Sequence, residues 1–404
     1  MKKKEVGLIT MHQVVNVGSA LQAYATQKVI EKLGYYCTII DYAYPTDYHL
    51  LCSAGYGTRH NTKIAEWYRL VGGATGVLAA IRHLKHLFFD RQWLRLRTAQ
   101  VQEFASWQKL LKKTRPYRRR QLKRHPPLFD LYVTGSDQVW KAASLCRDFS
   151  YLLDFVPDGI PKIAYAASFG GKEILAEYQQ EYSELLARYN HISVREYSGV
   201  ELVRKLTGHS IDQVLDPTLL LKPEEWKPAM ERKHSFNKPY IMCYILDGVF
   251  DPYPVVFDLV RKVQELTGYD VVFVGSSSKA KELGFHWVPE AGPGTFLHFY
   301  DGASFVITNS FHGTAFAVNF HKDFLVLLNP SPGQDDRIID FLNLMQLESR
   351  GVKFEEISQI TSERLIMHWD KTIEHLNHMR SHSENWLRNA LEIQAEDEKH
   401  DCAL

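Results

Sequence analysis

The chain is short of the features that would settle its class at once. Five cysteines stand in 404 residues, at Cys37, Cys52, Cys146, Cys243 and Cys402, odd in number and scattered. They offer neither a disulfide framework nor metal-ligand spacing, so a reducing, cytoplasmic setting is expected and no metal. No stretch is apolar over the roughly 20 residues a membrane-spanning helix needs. The start, MKKKEVGLITMH, has too brief an apolar run for a signal peptide and reads as a first buried strand. Net charge is only +1, so nothing global points to nucleic acid and no such partner is expected. Tandem repeats and low-complexity tracts are missing too. What remains is an ordinary globular composition, 45% hydrophobic and 24% charged, on a chain too long for one core. Two domains are expected.

What is present is alternation. Val6–Met11 is a short apolar run; after it Leu21, Tyr24, Ala25 and Val29 recur at helical spacing until Gly34 stops the helix, and YYCTIIDY reads as a second strand. Strand, polar turn, helix, strand is the opening unit of a doubly wound domain. FDLYVTGSDQVW (129–140) and PKIAYAASFG (161–170) continue it as strands ending in polar loops. HISVREYSGVELVRKLTG (191–208) reads as a strand and a helix closed by Gly208, and QVLDPTLLL (213–221) as a further strand. The polar, proline-bearing stretch up to Pro239 reads as a linker. YIMCYILD (240–247), a helix over about 253–267, DVVFVGSSS (270–278), ASFVITNS (303–310) and DFLVLL (323–328) restart the alternation, and 371–392 is helical by pattern. The expected architecture is α/β, two Rossmann-like domains facing across a cleft. Residues 1–222 form the first domain, 223–239 the linker and 240–350 the second domain, with helices in 351–404 packing back on the first.

One region breaks the plan. Between Arg82 and Arg124 fourteen Lys or Arg stand against Asp90 and Glu103, an excess of twelve positive charges, with Phe88, Phe89, Trp93, Phe104 and Trp107 interleaved. It reads as a basic helical insert in the first domain, within about residues 58–128. A solvated helical face would account for it. So would peripheral contact with an anionic membrane, where each cation contributes on the order of 1 kcal/mol and interfacial aromatics add apolar burial.

Ligands of doubly wound sheets sit beyond the carboxyl ends of the strands, and four loops there carry more polar chemistry than a turn needs. Asn16, Gly18 and Ser19 lead into the first helix, where free amides and the helix dipole favour an anion, although Asn and Ser are also routine caps. Ser136, Asp137 and Gln138 read as cleft-lining. Arg195 follows a strand of β-branched residues, its fork suited to a carboxylate or phosphate; a structural ion pair with Glu196 is the alternative. ITNSFHGTAFAV (307–318) says most. Asn309 or Ser310 can cap the helix, His312 falls in its first turn, and Gly313 and Thr314 leave donors uncovered. That is a setting for an acid/base histidine.

Taken together, these loops resemble the polysaccharide pyruvyl transferase family. NVGSALQAYATQ (16–27), YVTGSDQVW (132–140), YAASFG (165–170), ISVREYSG (192–199), VLDPTLL (214–220) and ITNSFHGTAFA (307–317) carry the resemblance, in order, over most of the chain. It implies a fold similar to glycosyltransferase-B enzymes and phosphoenolpyruvate as donor. The acceptor would be a sugar in a surface glycan or its lipid-linked precursor, met at the inner face of the cytoplasmic membrane. The product would be a cyclic pyruvate ketal bridging two hydroxyls, with phosphate released and no cofactor required. His312 falls on the family's histidine and Arg195 on its arginine; the resemblance implies an acid/base role for the first and an anion clamp for the second. Asn309, Ser310, Gly313 and Thr314 would surround the donor. Characterised members commonly carry Arg-x-His, whereas Ser310 stands two residues before His312 here. Lys322 or Arg337 would then supply the missing cation. The alternatives are a nucleotide-sugar glycosyltransferase and a non-catalytic glycan-binding relative.

Overall fold

A computed structural model describes residues 3–42, 91–141, 148–231, 236, 238–247, 250–275, 277–331, 333 and 335–392, with backbone alone for 91–98. Its frame is two six-stranded sheets in which every strand pair is parallel. The first runs in the order β2 (Tyr36–Ile39), β1 (Glu5–Ile9), β3 (Leu131–Thr134), β4 (Lys162–Ala167), β5 (His191–Val194), β6 (Asp212–Gln213). The second runs β12 (Gly351–Val352), β11 (Phe324–Leu327), β10 (Phe305–Thr308), β7 (Tyr240–Tyr244), β8 (Asp270–Val274), β9 (His286–Trp287). Strand order reverses between β1 and β3 and again between β7 and β10. A crevice opens at each reversal, beyond the carboxyl ends of the strands.

The described helices of eight residues or more are α1 (Val17–Lys32), α2 (Arg91–Trp107), α3 (Gln179–Leu186), α4 (Tyr197–Thr207), α5 (Val255–Thr267), α6 (Pro293–Gly302), α7 (Phe311–Asn319), α8 (Asp336–Leu344) and α9 (Trp369–Leu391). Strands β3, β4, β7, β10 and β11 are buried at every position, as parallel strands covered on both faces must be. Their sequences are accordingly near-continuous apolar runs.

Two elements depart from the sequence pattern. The 213–221 stretch is not a strand: β6 ends at Gln213, and Pro217–Leu219 is a 3-10 turn capped by the Asp216 side chain. Proline has no N–H for a ladder, and its fixed φ suits the first position of a turn. Conversely, α6 is a helix that the sequence reading does not assign, between the 270–278 and 303–310 strands; it starts at Pro293, and proline at the first helical position costs nothing, because that amide has no intrahelical partner anyway.

One hydrophobic cluster runs through both sheets. Trp226, fully buried, stands between Tyr24 of α1 and Phe316 of α7, at ring-centroid distances of 5.6 and 5.2 Å. Glu103 of α2 accepts from Gly292 N (2.5 Å) and Thr295 Oγ1 (3.0 Å), capping α6 of the second sheet. The far end of the chain returns to the first sheet: Trp386 Nε1 of α9 donates to Asp212 at 2.9 Å, and Ser383 Oγ accepts from Leu215 N at 3.0 Å.

Part of the basic stretch, 82–90, lies outside the described residues. In the rest, Lys112, Lys113, Arg119 and Lys123 pair with Glu31, Asp41, Asp148 and Asp154 of the first domain. Phe104 and Trp107 are core residues, Trp107 Nε1 donating to Ala20 O at 3.1 Å. These two aromatics are therefore not interfacial: an indole with its N–H satisfied inside the fold has no reason to leave it.

Candidate functional site

The carboxyl edges of the two sheets face each other, and α1 and α7 meet there by their N-termini. Asn16 caps α1, accepting from Ser19 N at 3.1 Å, and Ser310 caps α7, accepting from Gly313 N at 3.4 Å. The contact between them is close. A Cβ on Gly18 would collide with His312 Nδ1, so glycine is what lets the imidazole lie against the α1 backbone.

His312 is buried and presents Nε2 to Asp216 Oδ2 at 3.7 Å, an ion-pair rather than a hydrogen-bond distance; among the described residues Nε2 has no hydrogen-bond partner. Asp216 is fully engaged otherwise. Its Oδ1 accepts from Thr218 N (3.0 Å) and Oγ1 (2.7 Å), and its Oδ2 from Ser136 Oγ (2.9 Å) and Arg195 Nη1 (2.7 Å). Burial alone would push this carboxyl up, but His312 and Arg195 outweigh it and hold Asp216 well below the usual carboxylate range.

Arg195 is buried and fixed on three sides. Nη1 meets Asp216, Nε donates to Glu196 Oε1 at 2.9 Å, and the Phe311 ring centroid lies 4.2 Å from the guanidinium carbon. Burial opposes its charge, yet Glu196, Asp216 and Asp137 hold its pKa up. Its Nη2 is buried without a hydrogen-bond partner among the described residues. The salt bridge to Glu196 foreseen as the structural alternative is present, and one donor is left over beside it.

Arg337, in the first turn of α8, belongs to the same field. Its half-buried guanidinium makes no ion pair or hydrogen bond among the described residues. Burial, then the like charge of Arg195, pushes its pKa down, with Glu196 and Asp137 opposing. Asp137 closes the group. It adopts a left-handed φ of 74°, its Oδ1 accepting from Gln138 N (2.8 Å) and its Oδ2 from Ser19 Oγ.

Other residues singled out in the sequence make contacts within the protein. Asn309 forms a two-bond clamp on the Leu246 backbone, 2.6 and 2.8 Å. Gly313 packs so closely on Thr308 that a Cβ would collide with it, and Thr314 Oγ1 donates to Ser310 O at 2.9 Å. Gln138 lines Gly170. Lys322 does not join the cluster: it precedes β11, at the opposite end of α7, and donates to Asp301 O at 2.8 Å. Sequence reading passed over Asp216 as a site residue, though an aspartate before proline at a strand end is a capping signal. It also missed His12, fully buried beyond β1 between Thr10 O and Asp41 Oδ1, each 3.1 Å away. Among the described residues no group of three or more His, Cys, Asp or Glu is arranged to hold a metal ion.

Chemically, the cluster offers a histidine with a free Nε2, two cations with uncommitted donors and a carboxylate relay, all at the facing helix N-termini. The model of one family, polysaccharide pyruvyl transferase, matches residues 16–331. A search of curated proteins found no significant match. Among solved structures, a UDP-N-acetylglucosamine 2-epimerase is similar at 13% identity over 97% of this chain and 95% of its own, with a TM-score of 0.50. S. aureus MnaA, in its co-structure with UDP, is similar at 13% identity over 95% and 92%, with a TM-score of 0.48. At such identities the likeness is one of fold. It is the fold of two Rossmann-like domains, glycosyltransferase-B-like, expected from the sequence.

Proposed function

The chain belongs to the polysaccharide pyruvyl transferase family, and from that premise we propose that it moves pyruvate from phosphoenolpyruvate onto two hydroxyls of a glycan sugar. The observation carrying this reading is the meeting, in one cross-domain cluster, of His312 Nε2, Arg195 Nη2 and the Arg337 guanidinium, each without a hydrogen-bond partner among the described residues. Phosphoenolpyruvate brings a carboxylate and a phosphate. Two guanidinium donors and the α7 N-terminus suit those two anions. Arg337 takes the place of the arginine that Ser310 replaces.

The reaction then runs as follows. His312 gives its proton to C3 of the enol, and C2 becomes an oxocarbenium-like centre. A sugar hydroxyl adds there and releases its proton to Asp137, whose strained backbone and Ser19 contact fix its carboxylate. The C2–O bond to phosphate breaks, and the second hydroxyl closes the ketal, its proton leaving with phosphate. Asp216 stands where an imidazolium charge would be met, and Arg195 where charge builds on the leaving group. The acceptor is a sugar in a surface glycan or its lipid-linked precursor; the second would be met at the inner membrane face by peripheral contact through the cations of the basic stretch that are not paired within the fold. Among the described residues no helix is long and apolar enough to cross a membrane.

Two guanidinium groups at helix N-termini would also hold a diphosphate, so a nucleotide-sugar glycosyltransferase is the reading to beat. Purified protein should release phosphate from phosphoenolpyruvate only when a glycan acceptor is added, and phosphoenolpyruvate should raise its melting temperature. A melting shift with nucleotide-sugars alone, and no phosphate release, would replace this reading with that one.

A further inference from the structure

We propose that Asn319 and Arg380, remote from the proposed chemistry, are positioning residues that set where His312 meets Asp216; the inference rests on the functional reading above and deepens it. All nine residues of α7 are buried, with His312 in the first turn and Asn319 at the last position. A helix this short, ~13 Å long, is a rigid rod whose two ends move together. Both of its ends grip the same piece of the first domain. At the N-terminus His312 faces Asp216 at 3.7 Å. At the C-terminus Asn319 Nδ2 donates to Thr218 O (2.8 Å) and Leu221 O (2.9 Å).

Arg380 completes the grip from α9. Its Nη2 donates to Asn319 Oδ1 (2.7 Å), its Nε to Leu219 O (2.6 Å) and its Nη1 to Asn377 Oδ1 (3.0 Å). One amide and one guanidinium thus satisfy the carbonyls of residues 218, 219 and 221, just after the aspartate that holds Arg195. Both side chains are buried, so each of these bonds is costly to lose. Arg380, Ser383 and Trp386 recur every third residue on α9 and meet Leu219, Leu215 and Asp212 in antiparallel order. The helix lies as a splint along the segment that carries Asp216. Ordinary packing would need no such polar fastening; Trp226 between Tyr24 and Phe316 already joins the domains by apolar contact.

The test is a double-mutant cycle. Arg380→Gln should lower kcat ~10-fold with the KM for phosphoenolpyruvate changed less than about threefold, since His312 is displaced while Arg195 stays on its own domain. In a His312→Gln background the same change should cost less than about twofold, because no acid is left to misplace. An equal loss in both backgrounds means a merely structural role and overturns the proposal. A crystal structure of Arg380→Gln gives a second readout free of any assay: His312 Nε2 should lie farther from Asp216 than 3.7 Å, and an unchanged separation overturns the proposal. Should Arg380→Gln fail to fold, Arg380→Lys, which keeps the charge and one bond, is put through the same cycle. A wild-type protein that transfers no pyruvyl group would end the functional reading and leave the crystallographic separation to decide this one.

Discussion

The imidazole of His312, from the second domain, rests on Gly18 of the first, where no side chain could stand. Gly18→Ala should therefore act on turnover through His312, without touching the ring itself. We expect a loss of ~10-fold or more in phosphate release, approaching the ~100-fold loss expected for His312→Gln, the usual size of an acid/base contribution. The melting temperature should move by only a few degrees. Gly171→Ala, where a Cβ would meet nothing within 4 Å, is the control and should be silent. Normal turnover in Gly18→Ala would mean that the ring has room to work elsewhere.

That contact also marks how far the sequence could be read. Strand and helix placement followed from apolar patterning, because the central strands β3, β4, β7, β10 and β11 are buried throughout and helices α4 and α5 are closed by Gly208 and Gly268, at φ 76° and 70°. Arg195 and His312 were visible because they stand at strand ends, where ligands gather. Asp216 was hidden inside an apparent strand, although Pro217 after it forbids one. Asn319 and Leu219, which Arg380 grips, lie 61 and 161 residues from it, and no local pattern encodes a contact of that range. Choosing between Lys322 and Arg337 required knowing which end of α7 each one faces.

Those two cations give the second prediction. Burial and Arg195 depress the Arg337 pKa, so folding disfavours its charge; Arg337→Gln should leave stability unchanged or higher while weakening phosphoenolpyruvate binding ~10-fold or more. Lys322→Gln should do the reverse. It loses the hydrogen bond to Asp301 O, costing about 1 kcal/mol of stability, and leaves donor affinity alone. Titration calorimetry with phosphoenolpyruvate, beside thermal unfolding, reads both. Weakened binding in Lys322→Gln alone would return the missing cation to that lysine.

Asp216 gives a prediction in pH. Its folded-state pKa lies far below the unfolded value near 4, so the stability it contributes is fully present above about pH 4 and is lost as pH falls further. Asp216→Asn removes the central partner of Arg195 and should cost about 3–5 kcal/mol at neutral pH, the usual penalty for breaking a buried pair. The gap between wild type and variant should stay constant from pH 8 to pH 5 and narrow progressively below about pH 4. A gap that held its full size at pH 2.5 would mean that the carboxylate is not what Arg195 relies on.

The last prediction concerns the membrane. Lys112, Lys113, Arg119 and Lys123 are spent on carboxylates of the first domain, so they are poor candidates for lipid contact. Arg118, Arg120 and Arg124 are exposed and make no ion pair among the described residues; beside them Leu128 is 87% exposed, an apolar side chain with nothing to cover it. Three free cations near an anionic surface contribute on the order of 1 kcal/mol each, and one leucine inserted at the interface adds about as much again. That is weak, reversible binding, suited to an enzyme that visits a lipid-linked acceptor rather than anchoring beside it. In sedimentation with anionic vesicles the protein should partition onto the lipid at low salt and release as salt rises, because screening shortens the reach of each charge. Reversing Arg118, Arg120 and Arg124 to glutamate should abolish binding, and Leu128→Asp should weaken it. The same reversal at Lys112 and Lys123 should instead lower the melting temperature. Equal partitioning onto neutral and anionic vesicles, or indifference to the first triple reversal, would leave these arginines as a solvated face and remove the membrane from this protein's mechanism.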